Sequence, residues 1–345
     1  MSQAVLQSVP DFYGFPAIGG DDFRYAYATG KVRALRVQML TKTALQELAN
    51  AGSYEQALET LSTTEYAVSQ GSRNLSEVEN ILLARRTEVR ELFEKLMIDK
   101  RIVELFKARD DFANMRLLLR RTLTEKPIGS GYSGEGNVSP DLFEGIFELE
   151  KYELLPDYLQ TAVERAILAY YHYKDIRHID YEIDRLQAQY NLETAEKLNS
   201  IFLTNLFKLQ IDMTNMRTML RLKFTDSEKQ DVFLSGGFIA NERLKQGLSI
   251  DYDAMGQLFF VTPYYKIVST ACDYLASQGS FLKAEQECEN YIDEFLQSTL
   301  IITAGHQPLI AYLLEKEKEI RTIRLILTAR KNSLDTKLIL DRISV

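Results

Sequence analysis

The sequence predicts an all-α protein, and three observations carry that prediction. Apolar residues recur in steps of three and four over long stretches, the spacing that lines one face of a helix. The seven prolines and 17 glycines among 345 residues are few, and they gather in short clusters between those stretches. One helical stretch also occurs twice. DDFANMRLLLRR spans 110–121 and DMTNMRTMLRLK spans 212–223, so Asn-Met-Arg falls at 114–116 and again at 215–217, 101 residues later.

Residues 1–20, MSQAVLQSVPDFYGFPAIGG, carry neither a basic start nor a long apolar run. They read as a tail, not a signal peptide. DDFRYAYATGKVRALRVQML at 21–40 reads as an extra helix ahead of the first module. LTKTAL at 40–45 opens that module and aligns with VSPDLF at 138–143 and IANERL at 239–244. In the first repeat helix Leu105, Ala108, Phe112, Met115 and Leu119 share a face. Leu206, Leu209, Met213, Met216 and Leu220 do the same, each 101 residues on. A glycine follows each asparagine by 22 residues, Gly136 after Asn114 and Gly237 after Asn215. Both mark a helix end, a turn and a new start. TEKPIGSGYSGEGNVSP at 124–140 reads as a flexible connector.

A fainter third copy, EIRTIRLILT at 319–328, lies over DFANMRLLLR at an offset of 208, which aligns Arg324 with Arg116 and puts Thr322 where Asn114 stands. The expected organisation is therefore a tail at 1–20 and three helical modules at 21–135, 136–236 and 237–345.

The repeated polar positions invite two readings. Arg116, Arg217 and Arg324 sit on helices that are otherwise apolar, so they could face a central cavity and touch a partner. Alternatively each pairs with an acid some 35 residues upstream, Glu79, Asp180 and Glu285 respectively, and fixes helix register. A buried charge left without a partner costs several kcal/mol, and one pair per module suits a structural lock. The structural reading is preferred.

Chemistry is poorly supplied. DDFAN at 110–114 has the look of a magnesium-binding aspartate motif, yet its repeat, IDMTN at 211–215, has Ile211 in place of the first acid. Asp110 and Asp111 read as helix-surface charges. His172 and His178 are six apart and fall on different helix faces, unlike zinc ligands three or four apart. His306 has no neighbour in sequence. GSGYSGEG at 129–136 is followed by Asn137-Val138, not the Lys-Ser/Thr of a phosphate loop. Two cysteines 16 apart suggest neither a disulfide framework nor a metal site. A net charge of −8 argues against a protein built to grip nucleic acid or anionic lipid, and no apolar run is long enough to span a bilayer. No cofactor and no metal site are expected.

YAYATGKVRALRVQMLT at 25–41, the repeated Asn-Met-Arg helices, VFLSGGFI at 232–239 and LIAYLLEKEKEIRTIRLILTARKNSLDTKLILDRI at 309–343 together resemble the C subunit of the A/V-type ATP synthases, whose eukaryotic counterpart is the d subunit of the vacuolar ATPase (V-ATPase). The resemblance runs from about Asp21 to the end and rests on order and spacing. It implies an all-α fold of three similar helical domains about a pseudo-threefold axis, forming a shallow funnel. It implies a non-catalytic central-stalk protein that couples the rotor shaft to the membrane proteolipid ring. Its partners would be the shaft subunits and that ring, with no nucleic acid and no membrane insertion of its own. The place implied is cytoplasmic, peripheral to the membrane through the complex. The alternatives are a free-standing helical scaffold, for which a repeat of 101 residues is too long for a solenoid, and a helical metal-dependent enzyme.

Overall fold

A computed structural model of the chain describes residues 10–68, 74–125, 131–225 and 232–343. Among these residues every regular element is a helix. The helices are α1 (Ala26–Arg36), α2 (Lys42–Asn50), α3 (Tyr54–Thr60), α4 (Leu75–Leu96), α5 (Lys100–Leu123), α6 (Pro140–Glu148), α7 (Asp157–Tyr173), α8 (Arg177–Lys197), α9 (Ile201–Phe224), α10 (Asn241–Leu248), α11 (Tyr252–Leu258), α12 (Tyr265–Gln278), α13 (Leu282–Gln297), α14 (His306–Lys331) and α15 (Thr336–Arg342). Short 3-10 turns at Phe23–Tyr25, Tyr152–Leu154 and Ser298–Ile301 precede α1, α7 and α14.

Local sequence sets these boundaries. Thr41, Ser53, Asn74, Asp99, Ser139 and Ser200 each accept a backbone N–H from the first turn of the helix they precede. Such caps contribute about 1 kcal/mol apiece. Pro140 occupies the first turn of α6, where its missing N–H costs nothing. Left-handed residues close α7 at Lys174 and α12 at Gly279.

The chain divides into two compact units. Asp99–Leu248 forms one; Pro10–Ile98 and Ser249–Val345 together form the other. In the first, α5 is the core helix. Phe112, Met115, Leu118 and Leu119 pack against Phe143 and Ile146 of α6, Leu159 and Val163 of α7 and Ile179 and Ile183 of α8. In the second, α14 has that position. Ile320, Ile323, Ile326 and Leu327 pack against Leu48 of α2, Leu58 of α3 and Leu82 of α4, a helix group more than two hundred residues earlier in the chain. All ten residues of the two repeated apolar stripes are buried. The periodicity alone understates this. Val103 and Leu118 on α5, and Phe207, Ile211 and Met219 on α9, lie off the stripes and are buried too. Both helices are thus buried over more than the one stripe, although α5 keeps exposed charges at Lys100, Arg101, Glu104 and Arg120.

Part of the segment read as a tail lies against the second unit. Phe15 packs on Tyr291 and Phe295, the Tyr291 hydroxyl donates to the Gly14 carbonyl at 2.6 Å, and buried Gln307 donates to the carbonyls of Ile18 and Gly20 at 3.1 and 3.0 Å.

Candidate functional site

The repeated polar residues build a backbone grip. Asn114 on α5 donates from Nδ2 to the Ser133 carbonyl and accepts the Ser133 N–H at Oδ1, both at 2.8 Å. Asn215 on α9 makes the same reciprocal pair with Leu234, again at 2.8 Å in both directions. One turn earlier a buried aspartate takes the next piece of chain. Asp111 accepts the N–H groups of Asn137 at 3.1 Å and Val138 at 3.0 Å, together with the Asn137 amide and the Tyr158 hydroxyl. Asp212 accepts those of Phe238 and Ile239, both at 3.1 Å. These bonds satisfy donors at the entrance of α6 and α10, where a helix start leaves several N–H groups without internal partners.

The grip explains the glycine that follows each asparagine by 22 residues. A β-carbon at Gly136 would lie 2.2 Å from Asp111 Oδ1, and one at Gly237 would lie 2.1 Å from Asp212 Oδ1. Only glycine lets the backbone come this close to the carboxylate.

α14 repeats the device across the length of the chain. Glu319, at the position of Asp111 in the offset of 208, accepts the Leu40 N–H at 2.5 Å and the Tyr66 hydroxyl at 2.5 Å, and pairs with buried Lys316. Leu40, Val138 and Ile239 are the first residues of the three aligned module starts. Burial pushes the Tyr66 and Tyr158 hydroxyls up, with the adjacent carboxylate adding to it, so both remain protonated donors. Thr322 replaces the asparagine, and the geometry gives a reason. Ser133 and Leu234 lie five residues ahead of Val138 and Ile239; five ahead of Leu40 is Leu35, which is inside α1. Its backbone groups already serve the helix, so no clamp is needed.

The structure corrects three expectations. Asp110 and Asp111 are buried, not surface charges, because Asp111 serves the chain entering α6. The described part of the glycine-rich connector is held at Ser133, Asn137 and Val138 rather than flexible; residues 126–130 lie outside the described segments. The ion pairs also join other partners than those expected. Arg116 meets Asp180 at 3.9 Å and bonds Asp184, not Glu79. Asp180, expected to hold Arg217, faces Arg116 and Arg120 instead. Glu79 is held by Arg324 at 2.7 Å, and Glu285 lies 3.7 Å from Arg342. The reason is the packing already described: a long helix pairs with the helices laid over it, and those follow α5 in sequence but precede α14. About a third of each partner in the Arg324–Glu79 pair is exposed, so solvent screening reduces it to ~0.2–1 kcal/mol. The Arg217 Nε is buried with no hydrogen-bond partner among the described residues.

A second polar cluster surrounds a cavity of about 350 Å³ between the end of α1, the start of α2, α13 and α14. Glu315 pairs with Arg36 there, and Asp293 pairs with Lys318. Thr322 and Glu319 also border it. Despite the arginine, burial and the neighbouring Asp293 push the Glu315 carboxyl up to about 7, from an ordinary 4.5. A raised carboxyl pKa means that the folded protein holds this proton more tightly than the unfolded chain does. Stability from this group is therefore greatest below about pH 4.5 and falls as pH rises towards 7, by on the order of 3 kcal/mol in all. Denaturant titrations across that window are expected to show a shallower fall for Glu315→Gln than for the parent chain. Parallel curves would show that the carboxyl titrates normally.

Among the described residues no three His, Cys, Asp or Glu side chains converge as a metal site requires. His178 stacks on Tyr173 at 3.8 Å, and His306 meets the edge of Tyr25. Cys272 and Cys288 are buried free thiols. No helix of the described residues is long and apolar enough to cross a membrane. Asp111, Asp212 and Glu319 did not stand out from the sequence as grips. The signal was present: an acid three residues ahead of each repeated Asn or Thr, in register in all three copies.

The family model described as ATP synthase (C/AC39) subunit matches residues 28–342 of this chain. The C subunit of the A-type ATP synthase of Methanococcoides burtonii is 21% identical, over 94% of this chain and 96% of its own length. That of the V-type ATP synthase of Thermus thermophilus is 22% identical, over 90% and 94%. That of the V-type sodium ATPase of Enterococcus hirae is 21% identical, over 90% and 95%.

Proposed function

The chain belongs to the ATP synthase (C/AC39) subunit family, and on that premise we propose that it is the non-catalytic central-stalk component of an A/V-type rotary ATPase or ATP synthase. In this reading it links the rotor shaft to the membrane proteolipid ring. It is one copy per shaft, cytoplasmic, and peripheral to the membrane through the complex.

The observation that carries the reading is the use made of buried polar groups. At Asp111 with Asn114, at Asp212 with Asn215 and at Glu319, they are spent on fastening chain to a long helix, the same way each time. A catalyst concentrates such groups in one constellation aimed at a substrate. A torque-bearing part needs the same joint made stiff in several places. We take each long helix with the segment it grips as one lobe, and the three lobes as the three modules of the sequence repeat.

Reconstitution tests the proposal. With the nucleotide-binding head, shaft and ring of the same complex, omission of this chain is expected to leave ATP hydrolysis by the head and to abolish ion movement coupled to it. Normal pumping without the chain would sink the reading.

A further inference from the structure

We infer that the outward face of α1 is a docking surface for an α-helix of another protein, one with an apolar seam and acidic flanks. The inner face of α1, with Tyr25, Ala28, Thr29 and Val32, is buried. The outer face carries Tyr27, Gly30 and Ala34, in steps of three and four, with Phe23 of the preceding 3-10 turn and the capping residue Val37 continuing the row at either end. That is the spacing of a seam which receives a second helix. Yet among the described residues nothing covers it. Phe23 is 70% exposed, Tyr27 76% and Val37 86%, and Gly30 and Ala34 between them are exposed as well.

Gly30 supplies a second, independent observation. Within a helix glycine is about 1 kcal/mol worse than alanine. A β-carbon at Gly30 would meet nothing within 4 Å. No contact among the described residues therefore requires glycine, whereas close approach of another backbone would.

Charge selects among the possible occupants. The seam is flanked by Lys31 on one side and Arg33 on the other, no Asp or Glu occurs from Phe23 to Val37, and Arg24 is already paired with Asp22 at 2.6 Å. Arg33 donates to the carbonyls of Leu300 and Ile302 at 3.0 and 2.6 Å, which brings the exposed Leu300 and Ile301 alongside. A second copy of this chain would set basic flanks against basic flanks. A lipid surface would suit the charge, but a seam with glycine and alanine at its centre offers little apolar area to insert. A helix with acidic residues beside its own seam satisfies both the spacing and the charge. The inference does not depend on the rotary assignment.

The test uses the full chain and a synthetic three-heptad peptide with Leu at both seam positions and Glu at both flanking positions. Repulsion between its Glu rows keeps it from pairing with itself. Fluorescence anisotropy is expected to show saturable binding, weaker by roughly tenfold or more for the same peptide with Lys flanks. Gly30→Leu fills open space, so its melting temperature is expected to stay level or rise, while affinity for the Glu peptide falls by roughly tenfold or more. No binding of the Glu peptide, equal binding of both peptides, or indifference to Gly30→Leu would overturn the proposal. So would a Gly30→Leu-sensitive preference for phosphatidylglycerol vesicles, which assigns the face to lipid. A Gly30→Leu-sensitive dimer in sedimentation without peptide binding would assign it to self-association.

Discussion

Asp111→Ala is expected to lower the unfolding free energy of the chain by roughly 3–5 kcal/mol. The carboxylate is fully buried and takes four donors: the N–H groups of Asn137 and Val138, the Asn137 side-chain amide and the Tyr158 hydroxyl. Alanine leaves them without their acceptor; each donor that stays buried, the Val138 N–H first, costs about 1–3 kcal/mol, while those of exposed Asn137 can turn to water. Local relaxation recovers part of that, so the total stays below the simple sum. Urea denaturation followed by circular dichroism measures the loss. A value below about 1 kcal/mol would show that the grip is not what holds the entrance of α6.

Gly237→Ala and Gly30→Ala should move stability in opposite directions. At Gly237 the new methyl meets Asp212 Oδ1 at 2.1 Å and Ile211 Cγ2 at 3.1 Å. The carboxylate cannot swing aside without releasing the Phe238 and Ile239 N–H groups, so overpacking and lost hydrogen bonds act together, at about 2–4 kcal/mol. At Gly30 the methyl enters open space in a helix, which stabilises by about 0.5–1 kcal/mol through reduced unfolded-state freedom. The same substitution thus reports whether a glycine serves the interior or the exterior of the protein. Loss of stability at both positions would contradict this division.

Much of the fold was legible because helix periodicity is a local property. The stripes from Leu105 to Leu119 and from Leu206 to Leu220 needed only their own spacing, and the register of the Asn-Met-Arg repeat located equivalent positions at Asn114 and Asn215. Partnership was less legible. Glu79 lies nearer in sequence to Arg116, yet Arg324 holds it, because α4 packs against α14 and nothing in a residue's neighbourhood announces so distant a contact. The grips failed to stand out for a different reason. A carboxylate that binds backbone N–H groups needs no special residue type opposite it, so Val138, Ile239 and Leu40 look like ordinary apolar positions. The acid three residues ahead of each repeated Asn or Thr and the crowded glycines betray the arrangement, but an acid on a helix reads first as a surface charge and a glycine after a helix as a terminator.

The core that joins α2–α4 to α14 also fixes when the second unit can form. Leu48, Leu58 and Leu82 are synthesised early, but Ile320, Ile323 and Leu327, which cover them, come near the end. Between Ile98 and the end of α15 at Arg342 lie 244 residues, which a ribosome adding ~5–20 residues per second takes roughly 10–50 s to make. Within that interval Asp99–Leu248 is made in full before α14 begins, so it completes first, while the earlier segment waits with apolar surface uncovered. Nascent chains stalled after α10 should therefore resist protease within Asp99–Leu248 and be cut within α2–α4; equal protection of both would refute this order. Such a chain depends on protection from aggregation while it is being made, until its last long helix emerges.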